Sequence, residues 1–194
     1  MSSKINAQRK GSTNERKLCN LFSLWWSDGK RDDIFWRTPG SGARARVRTD
    51  NKKDTGFGYG DMQAQDPSGQ PLIDAFTFEF KVGYTSQLSF LDFLDSKKIR
   101  PTLFTFLKEV EKDAKDAKTI PLLIIRRDRK EHVILMPATL YVYITADHLE
   151  FKNIPDIQLY TPGLEYDYTA FSLKALFTYI SPEDLIRESK ELHD

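Results

Sequence analysis

Cysteine occurs once in the 194 residues, as Cys19. It has no partner for an intrachain disulfide, which excludes a disulfide-stapled scaffold; a reducing, intracellular (cytoplasmic) home is expected. Histidine is almost as scarce. His132, His148 and His193 are isolated from one another, and with one thiol they leave no zinc constellation. No apolar run approaches the ~18 residues that a membrane span needs. The opening Met-Ser-Ser-Lys-Ile-Asn-Ala-Gln-Arg-Lys has no apolar stretch of the signal-peptide kind. Internal repeats are absent. What remains is an ordinary globular composition, 40% apolar and 29% charged, sized for one domain with a real core.

The net charge of +1 says nothing about a polyanion, but its distribution does. Residues 1–60 hold thirteen lysines and arginines against six acids, a net of +7, and the other 134 residues carry −6. A basic first third suits a surface that faces nucleic acid; the plainer reading is a solvated arm.

Phe76-Thr77-Phe78-Glu79-Phe80-Lys81-Val82 reads as a buried strand, rich in aromatic and β-branched residues. Side chains alternate along a strand, so Phe78, Phe80 and Val82 share one face, Glu79 and Lys81 the other. Burying that second face is costly unless it meets water, a metal or a substrate. A carboxylate can hold a hard cation. An ammonium one pleat away can hold a phosphate oxygen or orient a water. Together they are a minimal kit for metal-assisted phosphodiester cleavage. The plain alternative is a surface ion pair worth roughly 0–1 kcal/mol.

Taken in order, Ser12-Thr13-Asn14-Glu15 has capping-box spacing, with a frayed polar stretch before it. Leu18, Leu21, Phe22 and Trp25 then predict a helix to about Trp26, with Glu15 at the edge of its inward stripe. Ile34 to Arg37 is a short strand candidate. Ser41 lies in a Gly-rich segment that runs to Gly60. Arg44, Arg46 and Arg48 in that segment would share one side of an extended chain and grip phosphates. Asp61 to Gln65 reads as a strand and Asp66 to Gln70 as a turn, with residues 71–82 returning antiparallel. A turn centred on Ser68-Gly69 puts Asp61 opposite Phe76; a shift of a few residues puts it beside Glu79.

Helices are predicted over 86–94 and 101–117, the second with Leu103, Phe106, Leu107 and Val110 inward. Its Lys108-Glu109-Val110-Glu111-Lys112-Asp113 run reads as a solvated face. Strands follow at 120–125 and 131–136, with a basic tip between them that is either a phosphate contact or a soluble turn. From Tyr141 short strands and turns are expected, then a helix capped by Ser181 and started by Pro182.

A helix with Glu15, then Asp61, then Glu79-Phe80-Lys81, then helix and strand: this order resembles the PD-(D/E)xK nuclease superfamily. Arg9-Lys10-Gly11 with Asn14-Glu15-Arg16, Arg37 to Gly42 with Ser41, and Gly60-Asp61 look most like archaeal-type Holliday junction resolvases and their phage relatives. The likeness covers roughly residues 9–136 and little of 137–194. It departs from the pattern at Gly60, where the named proline would stand, and in the long insertion between Ser41 and Asp61.

The resemblance implies an α/β, restriction-endonuclease-like fold: a mixed central sheet flanked by helices. The nuclease core would span 1–136, with 137–194 a small extension of strands and a helix packed on the same domain. It implies that Asp61 and Glu79 bind Mg2+, with Mn2+ as a substitute, and that Lys81 is the positioning base. Glu15 would act through the metal or its waters, and Ser41 near the scissile phosphate. Arg9, Lys10, Arg16 and Arg37 would join Arg44, Arg46 and Arg48 on DNA. It further implies a homodimer that cuts branched or junction DNA in recombination or repair, encoded by a phage or the like. A restriction-type or repair nuclease and a non-catalytic nucleic-acid-binding module are the other readings.

Overall fold

The computed structural model describes residues 2–39, 59–82, 102–127 and 129–192, with residues 2–10, Leu149 and Lys152 described by their backbone only. The arginines at 44, 46 and 48, Ser41 and the helix expected over 86–94 all lie outside the described residues.

Helix α1 runs Ser2–Trp26. It starts ten residues before the expected cap at Ser12, so that capping box is not used. Gln8, Arg9 and Lys10 are good helix formers, and a single interior glycine such as Gly11 costs only about 1 kcal/mol. Leu18, Cys19 and Phe22 are fully buried. The helix stops where Asp28 and Gly29 turn left-handed, at φ 54° and 76°.

Strand β1 (Phe35–Arg37) pairs antiparallel with β2 (Met62–Ala64), Phe35 opposite Ala64 and Arg37 opposite Met62. The expected β2-to-β3 hairpin does not form. Asp66 does turn the chain, its Oδ1 accepting from the Ser68 amide at 2.9 Å and the Ser68 hydroxyl at 2.7 Å. The turn then runs through a 3-10 stretch (Pro67–Gly69) into helix α2 (Gln70–Ala75), with a proline early in each, where a missing N–H does no harm. Residues 71–75 are therefore helical, and β3 (Phe76–Val82) emerges pointing elsewhere.

β3 lies parallel to β4 (Ile120–Arg126), as the intervening helix α3 (Thr102–Ala117) allows. β4 turns back antiparallel into β5 (Val133–Pro137), as expected. β7 (Tyr168–Ser172) pairs with β5 and β6 (Asp156–Leu159) closes that side, giving a mixed sheet of order β3-β4-β5-β7-β6.

Two apolar layers sandwich the sheet. On one face, Phe76, Phe78, Phe80, Leu122, Ile124 and Ile134 pack against Leu18 and Phe22 of α1 and against the C-terminal helices. On the other, Leu123, Ile125, Leu135 and Tyr168 meet Leu103, Leu107 and Val110 of α3. Register places Glu79 beside Leu123 and Lys81 beside Ile125, so both polar side chains fall on the α3 face.

The stretch from Tyr141 holds the short strands expected, β6 and β7, but it begins and continues with unexpected helices. Ala138–Asp147 is helix α4, with Leu140 and Tyr141 buried and Ile144 buried one turn on. Its β-branched and aromatic composition suits strands, and burial against the sheet overrides that preference. Helix α5 (Leu173–Tyr179) follows β7 directly. Helix α6 (Pro182–Glu191) begins as expected, Ser181 Oγ accepting from the Asp184 amide at 3.1 Å. Among the described residues no helix is long and apolar enough to cross a membrane.

Candidate active site

Among the described residues β3 is the last strand of the sheet on its side, so the outward amides of that edge need partners. Asp61 supplies the match. Its own N–H donates to Phe78 O at 2.7 Å, and its Oδ2 accepts from the Phe80 N–H at 2.8 Å. The carboxylate is thereby fixed against the middle of Glu79-Phe80-Lys81, although no hairpin brings it there. Asp61 is buried, 7% exposed.

Gly60 makes this approach possible. It is left-handed at φ 76°, and a Cβ on it would stand 2.5 Å from Phe78 O. Neither proline, locked near φ −65°, nor any residue with a side chain suits that position. The departure from the proline of the motif thus has a local steric cause.

Glu79 points toward α3 from a largely buried position, and Lys81 Nζ lies 2.5 Å from its Oε1. Burial, followed by the negative charge of Asp61, pushes the Glu79 carboxyl up to about 7 despite the lysine. Burial works against the charge on Lys81, but Glu79, Glu109 and Asp61 outweigh it and its pKa rises. Glu109 Oε2 on α3 stands 3.4 Å from Nζ, and the ammonium lies 4.8 Å from the centre of the Phe106 ring. The run containing Glu109 is therefore not merely a solvated face. Glu111, in the same run, accepts from the amides of Glu165 and Tyr166 and from the Tyr168 hydroxyl, at 3.0–3.1 Å.

Glu15 enters from α1. Its Oε2 is 3.2 Å from Arg37 Nε, an ion pair without hydrogen-bond alignment, and both atoms are buried with no hydrogen-bond partner. Burial and then Asp61 raise the Glu15 pKa, with Arg37 and Lys81 opposing. The four groups Glu15, Asp61, Glu79 and Lys81 thus form one electrostatic neighbourhood. Cys19, one turn past Glu15, feels it too: burial and the nearby Glu15 and Asp61 push its thiol up to about 12. Thr38, whose N–H donates to Asp61 O at 3.0 Å, is also buried, its hydroxyl without a hydrogen-bond partner.

The arginines divide. Arg37 is on Glu15, and Arg16 stands exposed over the Trp36 ring at 5.6 Å. Arg9 and Lys10 fall in α1, their side chains outside the described residues. Among the described residues no group of three or more His, Cys, Asp and Glu side chains is gathered to hold a metal ion.

Sequence reading missed Glu109, Phe106 and the Arg37–Glu15 pair. Phe106 and Glu109 are three apart beside the buried Leu103–Leu107–Val110 stripe, so their shared face was legible. That this face meets Lys81 depends on the parallel β3–β4 crossover, which only the tertiary structure reveals.

No curated protein and no solved structure matches the chain. One protein family does, described as "Phage putative PDDEXK endonuclease", over residues 6–187. That span takes in α1 with Glu15, Asp61 at the edge of β3, the Glu79–Lys81 pair and the C-terminal strands and helices, and the chain belongs to this family of the PD-(D/E)xK nuclease superfamily.

Proposed function

We propose that the protein is a divalent-metal-dependent endonuclease that hydrolyses DNA phosphodiesters, with branched or junction DNA as its substrate. The observation that carries this reading is the seating of Asp61 on the Phe80 amide, which sets one carboxylate against the strand that bears Glu79 and Lys81.

The donor set suits Mg2+. Asp61 and Glu79 offer oxygen ligands, which hard cations prefer, and Glu15 Oε2 is a buried oxygen without a hydrogen bond. Asp61 and Glu79 would hold the ion, and Mn2+ would substitute. When bound, the ion would lower the pKa of a water and neutralise charge building on the phosphate. The chain supplies the rest. Lys81 keeps a positive charge beside the reacting oxygens and orients a water or phosphate. Glu15, held by Arg37, accepts a hydrogen bond from a water near Asp61. Arg16, with the basic segment containing Arg44, Arg46 and Arg48, meets the DNA backbone, which fixes position without reading sequence. Junction cutting calls for two such sites in a homodimer.

A non-catalytic binding module is the second reading. It is favoured by Lys81 standing on Glu79, the carboxylate a cation would need. One experiment separates them. Labelled four-way junction, duplex and single strand, and RNA controls, are incubated with the protein in Mg2+ or EDTA. Cutting of the junction with Mg2+ alone, abolished by Lys81→Ala and Asp61→Asn, is the expected result. Tight binding with no cutting under any condition sinks the enzyme. Cutting of duplex in preference to junction would retain a nuclease and reject the branched substrate.

A further inference from the structure

We infer that Glu109 is a positioning residue for Lys81: it is the second carboxylate of a seat that keeps the amine at the site when Glu79 turns to a cation. The inference rests on the nuclease reading above and extends it to a residue on a different element.

The seat has three sides. Lys81 Nζ is 2.5 Å from Glu79 Oε1 and 3.4 Å from Glu109 Oε2, and it lies 4.8 Å from the Phe106 ring centre. Lys81 and Glu79 are only 17% and 15% exposed and Glu109 32%, so the seat is partly screened by solvent on the Glu109 side alone. Phe106 and Glu109 are three residues apart on α3 and therefore neighbours on its surface. The helix is anchored by buried Leu103, Leu107 and Val110, which makes it a firm mount.

In the proposed reaction Glu79 has two claimants, the cation and Lys81. A cation held by the Glu79 oxygens would weaken the hold of Glu79 on the lysine and repel its charge. A lysine ammonium on its four-carbon stem is mobile and strongly hydrated, and a single lost partner would let it swing into solvent. Glu109 gives it a fixed second partner on the side of α3, and the Phe106 ring holds its stem and charge there. The amine then stays within reach of the phosphate while its first partner serves the metal. Without Glu109 the amine would have Glu79 as the one carboxylate of its seat, beside the Phe106 ring, and would compete with the ion for it.

The test uses the full chain and four variants: Glu109→Gln, Glu109→Asp, Lys81→Met, and Lys81→Met with Glu109→Gln. Mn2+ affinity is measured by electron paramagnetic resonance without DNA. Single-turnover cleavage and DNA binding in Ca2+ are measured alongside, and thermal unfolding checks that each variant folds. Glu109→Gln should weaken Mn2+ binding and slow cleavage, each by about tenfold, with DNA affinity kept within about twofold. Glu109→Asp should recover part of both. In the Lys81→Met background Glu109→Gln should leave Mn2+ affinity unchanged, which a merely structural role for Glu109 would not produce. Glu109→Gln matching the wild type, or weakening Mn2+ equally with and without Lys81, overturns the inference while wild-type cutting stands. A wild type that binds no Mn2+ and cuts nothing overturns the nuclease reading itself.

Discussion

The Phe80 amide donates to Asp61 Oδ2 at 2.8 Å, so a side-chain carboxylate does what a neighbouring strand would do for the edge of β3. Asp61→Ala removes that acceptor and leaves a buried N–H unpaired, at a cost of about 1–3 kcal/mol in urea unfolding. Asp61→Asn keeps an acceptor and removes a negative charge from beside Glu79. It should match or exceed the wild type in stability while losing cleavage, a separation the same two assays would reveal.

Gly60 stands at φ 76° with the Phe78 carbonyl where its Cβ would be. Gly60→Ala is expected to destabilise the fold by about 1–3 kcal/mol and to push Asp61 away from the Phe80 amide. Amide hydrogen exchange at Phe80 should then accelerate more than exchange in β4 and β5, which do not share the clash.

Glu79 makes a pH-dependent contribution to stability. Its folded pKa, near 7, exceeds the ordinary value of 4.5 because burial and Asp61 penalise the charge. Between those values Glu79 holds its proton in the folded chain and not in the unfolded one, so its contribution to stability falls as pH rises from about 4.5 through about 7. His132, which burial holds down at about 4, contributes the opposite slope between about 4 and 6.5. The Glu79 share of the loss is about 3 kcal/mol. Glu79→Gln should remove the Glu79 contribution and leave that of His132, so the variant gains on the wild type as pH rises, from near parity at pH 4 to greater stability at pH 8. Chemical denaturation across the pH range checks both the sign and the window.

Glu111 clamps the chain before β7, accepting from two amides and the Tyr168 hydroxyl. Glu111→Ala orphans all three donors and should cost about 2–4 kcal/mol, while Tyr168→Phe should cost about 1 kcal/mol. Neither residue touches the acid cluster, so cleavage measured well below the melting temperature should persist in both.

The local signals were legible where period and chemistry agreed. The alternation of β3, the apolar stripe of α3, the β4–β5 return and the Ser181-Pro182 helix start all follow from side-chain spacing. The acids and lysine of the site were identifiable as types, since Glu79 and Lys81 had to share a face. Their meeting was not legible from local pattern. Asp61 reaches β3 by a side-chain bond across an edge, after a turn that becomes a helix, and no spacing rule encodes that. Tyr141 and its neighbours misled because their β-favouring side chains pack equally well on one flank of a buried helix. Glu109 was hidden among alternating charges, since a solvated helix face and one turned toward a buried lysine have the same composition.

A strand that, among the described residues, ends its sheet against a carboxylate also advertises a vacancy once that carboxylate is gone. Variants that strip Asp61 of its acceptor uncover the Phe80 amide on an apolar-backed strand, open to a strand from another copy. Catalytic failure and a tendency to self-associate are therefore coupled at this position, and selection against clumping alone would guard the acid even where cutting was dispensable.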